Sequence, residues 1–263
     1  MSCRFGISAA HPEQFLALPS KLSGRLAAIE FPGDMLESAA GFQKLSQLSK
    51  NGVFLCGRDF ISPEIAALIP EENCKLRSEL ENHFQQRCAK AAELGVESFS
   101  VAFDIFQAVT SPVYRDKLGG FLRRCAGVIH DFRQTLYLVC RVPGGGSFDR
   151  WEDILMFRRE LLCPGIEMML ELHPHEPGAS EAIAAALKCF RFHDCRRRIC
   201  YDSSVGNTLT GAALKRCSES CARELEQETV IFFFYSGSGK IDSTRTGELE
   251  MLLNSCLPVE EES

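Results

Sequence analysis

The sequence predicts an α/β protein, a single-domain (β/α)8 barrel of the TIM type. Eight short apolar runs recur along the chain, and the segments between them have the composition and periodicity of helices. The repeat is one strand–helix unit of about 30–35 residues, and eight such units close a barrel. The length of 263 residues is also close to the roughly 250 residues typical of one such domain.

The predicted strands are the apolar runs themselves, and most of them end in an ionisable residue. They cover residues 4–9, 26–31, 53–58, 98–104, 136–142, 166–173, 198–203 and 230–235. In a barrel of parallel strands the chemistry lies where the strands end, at the carboxyl rim. The ionisable residues at these ends therefore mark the expected place of a site.

The predicted helices fill the intervals between the strands. They cover residues 11–23, 35–50, 71–93, a segment that starts at Ser111-Pro112, 147–162, 179–192, 208–226 and 244–255. The third helix stops at Gly95, because glycine readily ends a helix. In the fourth, Ser111 is the expected N-cap and Pro112 takes the first helical position. No linker divides the chain, so residues 1–263 are predicted to form one domain with a disordered acidic tail at 257–263.

The composition is that of an ordinary globular protein, with 45% hydrophobic and 24% charged residues. The net charge of −6 argues against a nucleic-acid partner or an anionic membrane surface. The basic cluster at 196–198 precedes the seventh run, so it is predicted to lie on the solvated surface. No apolar run approaches the ~20 residues that cross a bilayer, and no membrane association is expected.

The cysteine content bears on the expected compartment. Thirteen cysteines are an odd count, and no Cys-x-x-Cys pair occurs among them. The amino terminus enters the first strand directly, without the apolar segment and cleavage site of a signal peptide. These features favour reduced thiols and a cytoplasmic protein.

The alternation of side chains along a strand predicts which residues face the barrel interior. On the sixth run, Glu171 and His173 share one face, and the opposite face is wholly apolar. The same reasoning gathers Glu30, Arg58, Asp104, Arg141, Glu171, His173 and Asp202 near the rim. Burial of so many charges is unfavourable unless they pair or hold a metal. The set is therefore the predicted site, and the alternative is a structural ion-pair network at the barrel mouth.

A divalent metal is one interpretation of the residues after the sixth run. If the strand stays extended, Glu171, His173 and His175 face one way, and such a donor set suits Zn²⁺, Mn²⁺ or Mg²⁺. Asp202 lies on the next strand, about 4.8 Å away, and completes the predicted ligand set. The alternative for His175 is a solvent-exposed loop histidine, because the prolines beside it bend the chain.

An anionic group of a substrate is the second interpretation. The glycine-rich segment 236–240 follows the eighth run, where barrels often bind phosphate, and Lys240 is a suitable partner. Arg58 and Arg141 are predicted to clamp a carboxylate or phosphate, and Asp104 is a further candidate for contact with the substrate. The alternative for 236–240 is an ordinary glycine-rich turn.

Three segments of the chain are similar to the xylose isomerase-like TIM barrels, the superfamily of sugar phosphate isomerases, epimerases and endonuclease IV. They are 5–8 at the first strand, 27–33 at the second strand with its terminal glutamate, and 91–96, where a helix leads into the fourth strand. Together with the barrel pattern, the resemblance covers most of the chain. It implies the same fold and a small-molecule substrate of the sugar or sugar phosphate class.

The resemblance also implies a divalent metal held by acidic and histidine ligands of the later strands. Glu171, His173 and Asp202 are the matching positions here. Three departures stand against an intact site. Arg141 replaces a glutamate that is usual at the end of the fifth strand, no histidine follows Asp202, and Tyr235 ends the last strand in place of a glutamate. The site is therefore either rearranged, with an anion in place of the metal, or lost.

Three functions remain open on the sequence alone. The first is a sugar or sugar phosphate isomerase or epimerase, with Glu171 or Glu30 as the general base beside a substrate carbonyl. The second is a metal-dependent hydrolase, in which the predicted ligands activate a bound water. The third is a divergent barrel that has lost metal catalysis and binds a small anionic ligand. The sequence leaves the oligomeric state open.

Overall fold

Eight parallel strands form a closed barrel. The computed structural model describes residues 4–9, 28–61, 74–102, 109–142, 151–161, 163–173, 179–190, 196–202, 230–235, 247 and 250. The strands are β1 (Arg4–Ala9), β2 (Ala28–Pro32), β3 (Phe54–Arg58), β4 (Ser98–Ala102), β5 (Thr135–Val142), β6 (Ile166–Leu172), β7 (Arg196–Asp202) and β8 (Val230–Tyr235). Each pairs with the next in sequence, and β8 pairs with β1. The predicted (β/α)8 fold class is confirmed.

The described helices lie between the strands, as the sequence pattern predicted. They are a 3-10 turn (Gly33–Leu36), α1 (Ala39–Lys50), α2 (Cys74–Glu93), α3 (Pro112–Asp131), α4 (Trp151–Leu161) and α5 (Ala179–Cys189). The predicted helices at 11–23 and 208–226 lie outside the described residues, as do most of 244–255 and the tail at 257–263. None of the helices described is long and apolar enough to span a bilayer.

Local capping signals mark the start of α3 and the end of α2 where the sequence predicted them. The Ser111 hydroxyl accepts a hydrogen bond from the amide of Tyr114 and caps α3. Gly95 has φ +69, and the amide of Val96 bonds back to the carbonyl of Ala91 at 2.9 Å, which is the hydrogen bond of a glycine-terminated helix.

The predicted second helix at 35–50 is wrong in its first turn. The chain makes a 3-10 turn over Gly33–Leu36, and α1 begins only at Ala39. The reason is a serine cap, because the Ser38 hydroxyl accepts from the amide of Gly41 at 3.0 Å and starts a new helix there.

The seventh strand begins two residues earlier than predicted, at Arg196 in place of Arg198. This places Arg198 inside the strand, where it is 3% exposed. The prediction of a solvated surface for Arg198 is therefore wrong. Its charge is buried because two carboxylates meet it in the barrel interior, as described below.

The outward faces of the strands pack against the helices and form the apolar core. Ile29, Phe31, Phe99, Val101 and Leu170 are buried members of one continuous cluster that includes the inner faces of α2 and α3. This is the alternation expected for β2, β4 and β6. The opposite faces of these strands are left for the barrel interior.

Candidate functional site

Four ionisable side chains from three strands meet in the barrel interior. They are Glu30 on β2, Glu171 on β6, His173 immediately after β6 and Arg198 on β7, and all are at most 8% exposed. Strands β2 and β7 are not neighbours in the barrel. A contact between Glu30 and Arg198 therefore crosses the interior. We refer to these four residues, with Arg58 at their edge, as the interior cluster.

Arg198 is the centre of the interior cluster. Its Nε donates to Glu171 Oε2 at 2.9 Å, and its Nη2 donates to the same oxygen. Its Nη1 donates to Glu30 Oε1. One guanidinium therefore neutralises two buried carboxylates through three charge-assisted hydrogen bonds, which is how buried charges become tolerable.

Glu171 is ionised and fully engaged. Burial raises the pKa of its carboxyl group, but the charge of Arg198 and the hydrogen bond from His173 outweigh burial, so the pKa lies well below its ordinary value. His173 Nε2 lies 2.7 Å from Glu171 Oε1. Because an ionised carboxylate only accepts, Nε2 carries the proton of this bond. Both oxygens of Glu171 are occupied, and its carboxylate is a weak base.

Glu30 differs from Glu171 in one respect that matters for chemistry. Its Oε1 is bound by Arg198, but its Oε2 is buried and has no hydrogen-bond partner in the part of the chain that the structure describes. The hydroxyl of Ser100 on β4 is also buried and also lacks a hydrogen-bond partner among the described residues. A buried polar atom without a partner points to a water or ligand that completes it. The interior therefore holds polar atoms that can contact a bound molecule.

Arg58 ends β3 and adds a second cation beside Glu30. Its Nη1 donates to Ser8 Oγ and its Nε to Asp59 Oδ2, both at 2.9 Å. Burial lowers the pKa of the guanidinium, but the nearby charges of Glu30 and Asp59 outweigh this and raise it. The side chain is 27% exposed. Arg58 therefore remains charged and connects the buried cluster with the solvent.

Residues at the ends of β2 and β3, and just after them, fix the backbone that carries Glu30 and Arg58. Gly57 has no side chain, and the ring of Phe60 folds over it and stacks on Phe99 with centroids 4.2 Å apart. Arg87 of α2 is buried, and its Nη1 donates to the carbonyl of Phe60 at 2.6 Å. The same nitrogen would lie 2.9 Å from a Cβ at Gly33. Glycine at these two positions therefore lets the loops pack closely.

The predicted site residues are only partly brought together. Glu30, Arg58, Glu171 and His173 meet, as the alternation predicted. Arg141 is exposed, although its Cα is in register with Glu171. Asp104, His175 and Lys240 lie outside the described residues, as does the side chain of Asp202, whose backbone pairs with Phe234. The roles assigned to these residues stay predictions.

Arg198 is the residue that sequence reasoning missed. The signal that could have found it is the alternation of the seventh run, in which Asp202 and Cys200 share one face. One step of two residues further back reaches Arg198 on the same predicted face. The three consecutive arginines suggested a solvated patch and hid this position.

The described residues do not fit a divalent metal. Glu171 and His173 are the only predicted ligands whose side chains the structure describes. They are hydrogen-bonded to each other, and Glu171 also accepts from Arg198. The described residues contain no group of three or more histidine, cysteine or carboxylate side chains placed to hold a metal ion. A cation between Glu30 and Glu171 would need the space and the oxygens that the guanidinium already uses.

A closed barrel of eight parallel strands is the TIM-barrel fold. Solved structures of this fold match the chain over nearly its full length. A D-tagatose 3-epimerase-like protein has a TM-score of 0.62 and 13% identity, with 96% of each chain covered. The 3-keto-D-glucoside 4-epimerase of E. coli has a TM-score of 0.60 and 13% identity, with 97% of this chain and 99% of that chain covered.

A xylose isomerase domain protein from Planctomyces limnophilus matches with a TM-score of 0.59 and 11% identity, over 96% of this chain and 95% of that chain. No protein-family model matches the sequence, and no curated protein matches it significantly. The chain therefore has the xylose isomerase-like TIM-barrel fold that its sequence resembles. At identities of 11–13%, the similarity shows the fold alone.

Proposed function

We propose that the protein is a sugar or sugar phosphate isomerase or epimerase that removes a proton beside a substrate carbonyl. The observation that carries the proposal is Glu30 Oε2, a buried carboxylate oxygen without a hydrogen-bond partner among the described residues. A general base needs such an oxygen within reach of the substrate. The names of the matched structures, which include two sugar epimerases or epimerase-like proteins, support a sugar as the substrate class.

The two carboxylates take different roles in this proposal. Glu30 is the base, because one of its oxygens is available to a substrate proton. Glu171 anchors Arg198, because both of its oxygens are bonded and its lowered pKa makes it a poor proton acceptor. This assignment separates two residues that the sequence pattern had left as equal candidates.

The guanidinium groups supply the positive charge that the reaction requires. Loss of a proton beside a carbonyl places negative charge on the carbonyl oxygen, and a fixed cation in a dry site stabilises it. Arg58 lies beside Glu30 at the solvent side of the interior cluster and is the best-placed described cation. Arg141 and Lys240 remain candidates for a substrate phosphate. The proposed reaction assigns no role to a metal ion, because the described side chains do not fit a metal ion.

Exchange of a substrate proton with the solvent tests the proposal directly. A panel of ketoses, aldoses and their phosphates is incubated with the protein in heavy water, and deuterium at the carbon beside the carbonyl is followed by NMR. The wild type is expected to exchange and interconvert at least one member. Glu30→Gln should reduce that rate by about 10²–10⁴-fold, the usual contribution of a general base.

Glu97→Gln is the matched control, because Glu97 is exposed and precedes β4 at the opposite end of the barrel. It should leave the rate unchanged. Circular dichroism checks that Glu30→Gln is folded. A folded Glu30→Gln protein that exchanges at the wild-type rate would contradict the role of Glu30, and exchange with no member of the panel would contradict the proposed reaction.

The second candidate is a barrel that binds a small anionic ligand without catalysis. Two observations favour it. Both oxygens of Glu171 are already bonded within the protein. Two guanidinium groups, those of Arg58 and Arg198, lie close to Glu30, which offers one available oxygen, Oε2. In that case, members of the panel raise the melting temperature of the protein, and Arg58→Met weakens the shift, but no deuterium enters the ligand.

We also propose a reducing compartment such as the cytoplasm. Six cysteines whose side chains the structure describes, on strands, helices and one connecting loop, are not joined in disulfides, and reduced cysteines persist where the environment is reducing. Burial raises the pKa of Cys88 and of Cys125, which keeps these thiols protonated and unreactive.

A further inference from the structure

We infer that Arg198 is a built-in cation that takes the place of a divalent metal ion, and that removing it uncovers a latent metal site. The guanidinium lies between Glu30 and Glu171 and bonds to both. Two carboxylates therefore face the space that Arg198 fills, and the imidazole of His173 is hydrogen-bonded to one of them. Oxygen and nitrogen donors of this kind bind Mn²⁺ or Zn²⁺ when no cation competes for them.

The position of Arg198 is set by the barrel and not by a flexible side chain alone. Its Cα is in register with that of Glu171 on the neighbouring strand, and it reaches Glu30 across the interior. The side chain is 3% exposed. Such a guanidinium cannot swing into solvent to make room for a metal without leaving the two carboxylates unpaired in the interior, which is strongly unfavourable.

The charges around the interior cluster also oppose a metal in the wild-type protein. Arg58 is close enough to Glu30 and Arg198 for their charges to shift its pKa. Two guanidinium groups therefore already face the carboxylates, and a divalent ion would be repelled by both. When Arg198 is removed, Glu30 and Glu171 lose this partner and become strong attractors of a cation.

Manganese binding tests the inference, measured by the EPR signal of free Mn²⁺ and by calorimetry on untagged protein. Manganese is chosen because it prefers oxygen donors over thiols, and the chain has thirteen cysteines. The wild type is expected to show no stoichiometric binding. Arg198→Ala should bind one equivalent at least tenfold more tightly, and Arg198→Lys, which retains the charge, should behave as the wild type does.

The double variant Arg198→Ala with Glu30→Gln is the matched control for the location of the new site. It should lose the gained affinity at least tenfold, because one of the proposed ligands is neutral. The inference is overturned if the wild type binds one equivalent of Mn²⁺ at the interior cluster. A folded Arg198→Ala protein that binds no better than the wild type overturns it equally.

A second measurement applies if Arg198→Ala does not fold alone. Arg198→Met keeps most of the side-chain volume without the charge. Arg198→Ala and Arg198→Met are each refolded with and without Mn²⁺. The ion is expected to raise the melting temperature of each variant and not that of the wild type. Failure of both to fold even with Mn²⁺ means that a metal does not replace the guanidinium. Substrate is absent throughout, so the result is separate from that of the deuterium-exchange experiment.

Discussion

Glu171 is the residue whose protonation most directly reports on the interior cluster. Its pKa in the folded protein is lowered, so its stabilising contribution is complete at neutral pH. The contribution is lost as the pH falls below the unfolded value of roughly 4.3. Glu171→Gln should destabilise the protein at pH 7 by about 3–5 kcal/mol, the usual effect of breaking a buried ion pair.

Urea unfolding at several pH values measures this effect. The difference between wild type and Glu171→Gln should shrink as the pH is lowered below about 4, because the carboxyl group is then protonated in the unfolded wild-type chain and must lose that proton on folding. Glu97→Gln serves as the exposed control and should change stability by less than about 0.5 kcal/mol at any pH. A difference that does not depend on pH would show that Glu171 stabilises the fold by packing and not by charge.

Residues that alternate along a strand were predictable, and residues that depend on the start of a strand were not. Glu30, Glu171 and His173 follow from period-two alternation within long apolar runs, and the structure brings them together. Arg198 stands at the start of the predicted seventh run, among three consecutive arginines that indicate a solvated surface. It is buried because it pairs with the carboxylates of β2 and β6, which are distant in sequence.

Helix α2 holds the ends of β2 and β3 together through one buried arginine. Arg87 donates to Glu37 Oε1 at 2.8 Å and to the carbonyl of Phe60 at 2.6 Å. Arg87→Met should remove this donor from the Phe60 carbonyl and lower the free energy of unfolding by about 1–3 kcal/mol, whereas Glu37 keeps His83 as a partner. If the proposed reaction is correct, KM should rise more than kcat falls, because the backbone that carries Arg58 shifts.

Arg124→Met is the control for this prediction. Arg124 pairs with Glu81 between α3 and α2, but its side chain is 42% exposed, so its removal should cost about 0–1 kcal/mol. Chemical unfolding and steady-state kinetics on both variants provide the comparison. An equal loss of stability in the two variants would contradict the anchoring role of Arg87.

The close packing around Gly57 on β3 gives a second prediction for a single element. In Gly57→Ala the new Cβ would clash with the ring of Phe60, whose Cδ2 would lie 2.7 Å away, and would lie 2.8 Å from the Cβ of Phe99. Because these rings are buried and stacked, the crowding should destabilise the protein by about 1–3 kcal/mol. Gly127→Ala on α3 has no atom within 4 Å of the new Cβ and should stabilise by about 0.5–1 kcal/mol. Thermal unfolding distinguishes the two, and similar melting temperatures would contradict the close packing.

At the scale of the whole molecule, the fold was predictable because closure of the barrel depends on the number of strands. Eight apolar runs at a regular interval predicted eight strands, and the pairing of β8 with β1 follows once every strand has two neighbours. The boundaries of the helices were less predictable, because local interactions such as serine caps decide where a helix begins. Ser38 is an example, since its hydroxyl caps α1 and converts the predicted first turn of the helix into a separate 3-10 turn.

The interior cluster also joins distant parts of the chain, and this predicts how the barrel opens. Glu30 and Arg198 are 168 residues apart in sequence, so their bond links β2 with β7 across the interior. In Glu30→Gln this bond loses its charge on one side. Amide hydrogen exchange followed by mass spectrometry should then show faster exchange in both strands, because weakened closure exposes them together. Helix α3, which packs outside the barrel, should change less, and Glu97→Gln should leave all three unchanged. Faster exchange confined to β2 would mean that the bond stabilises its own strand without holding the two halves of the barrel together.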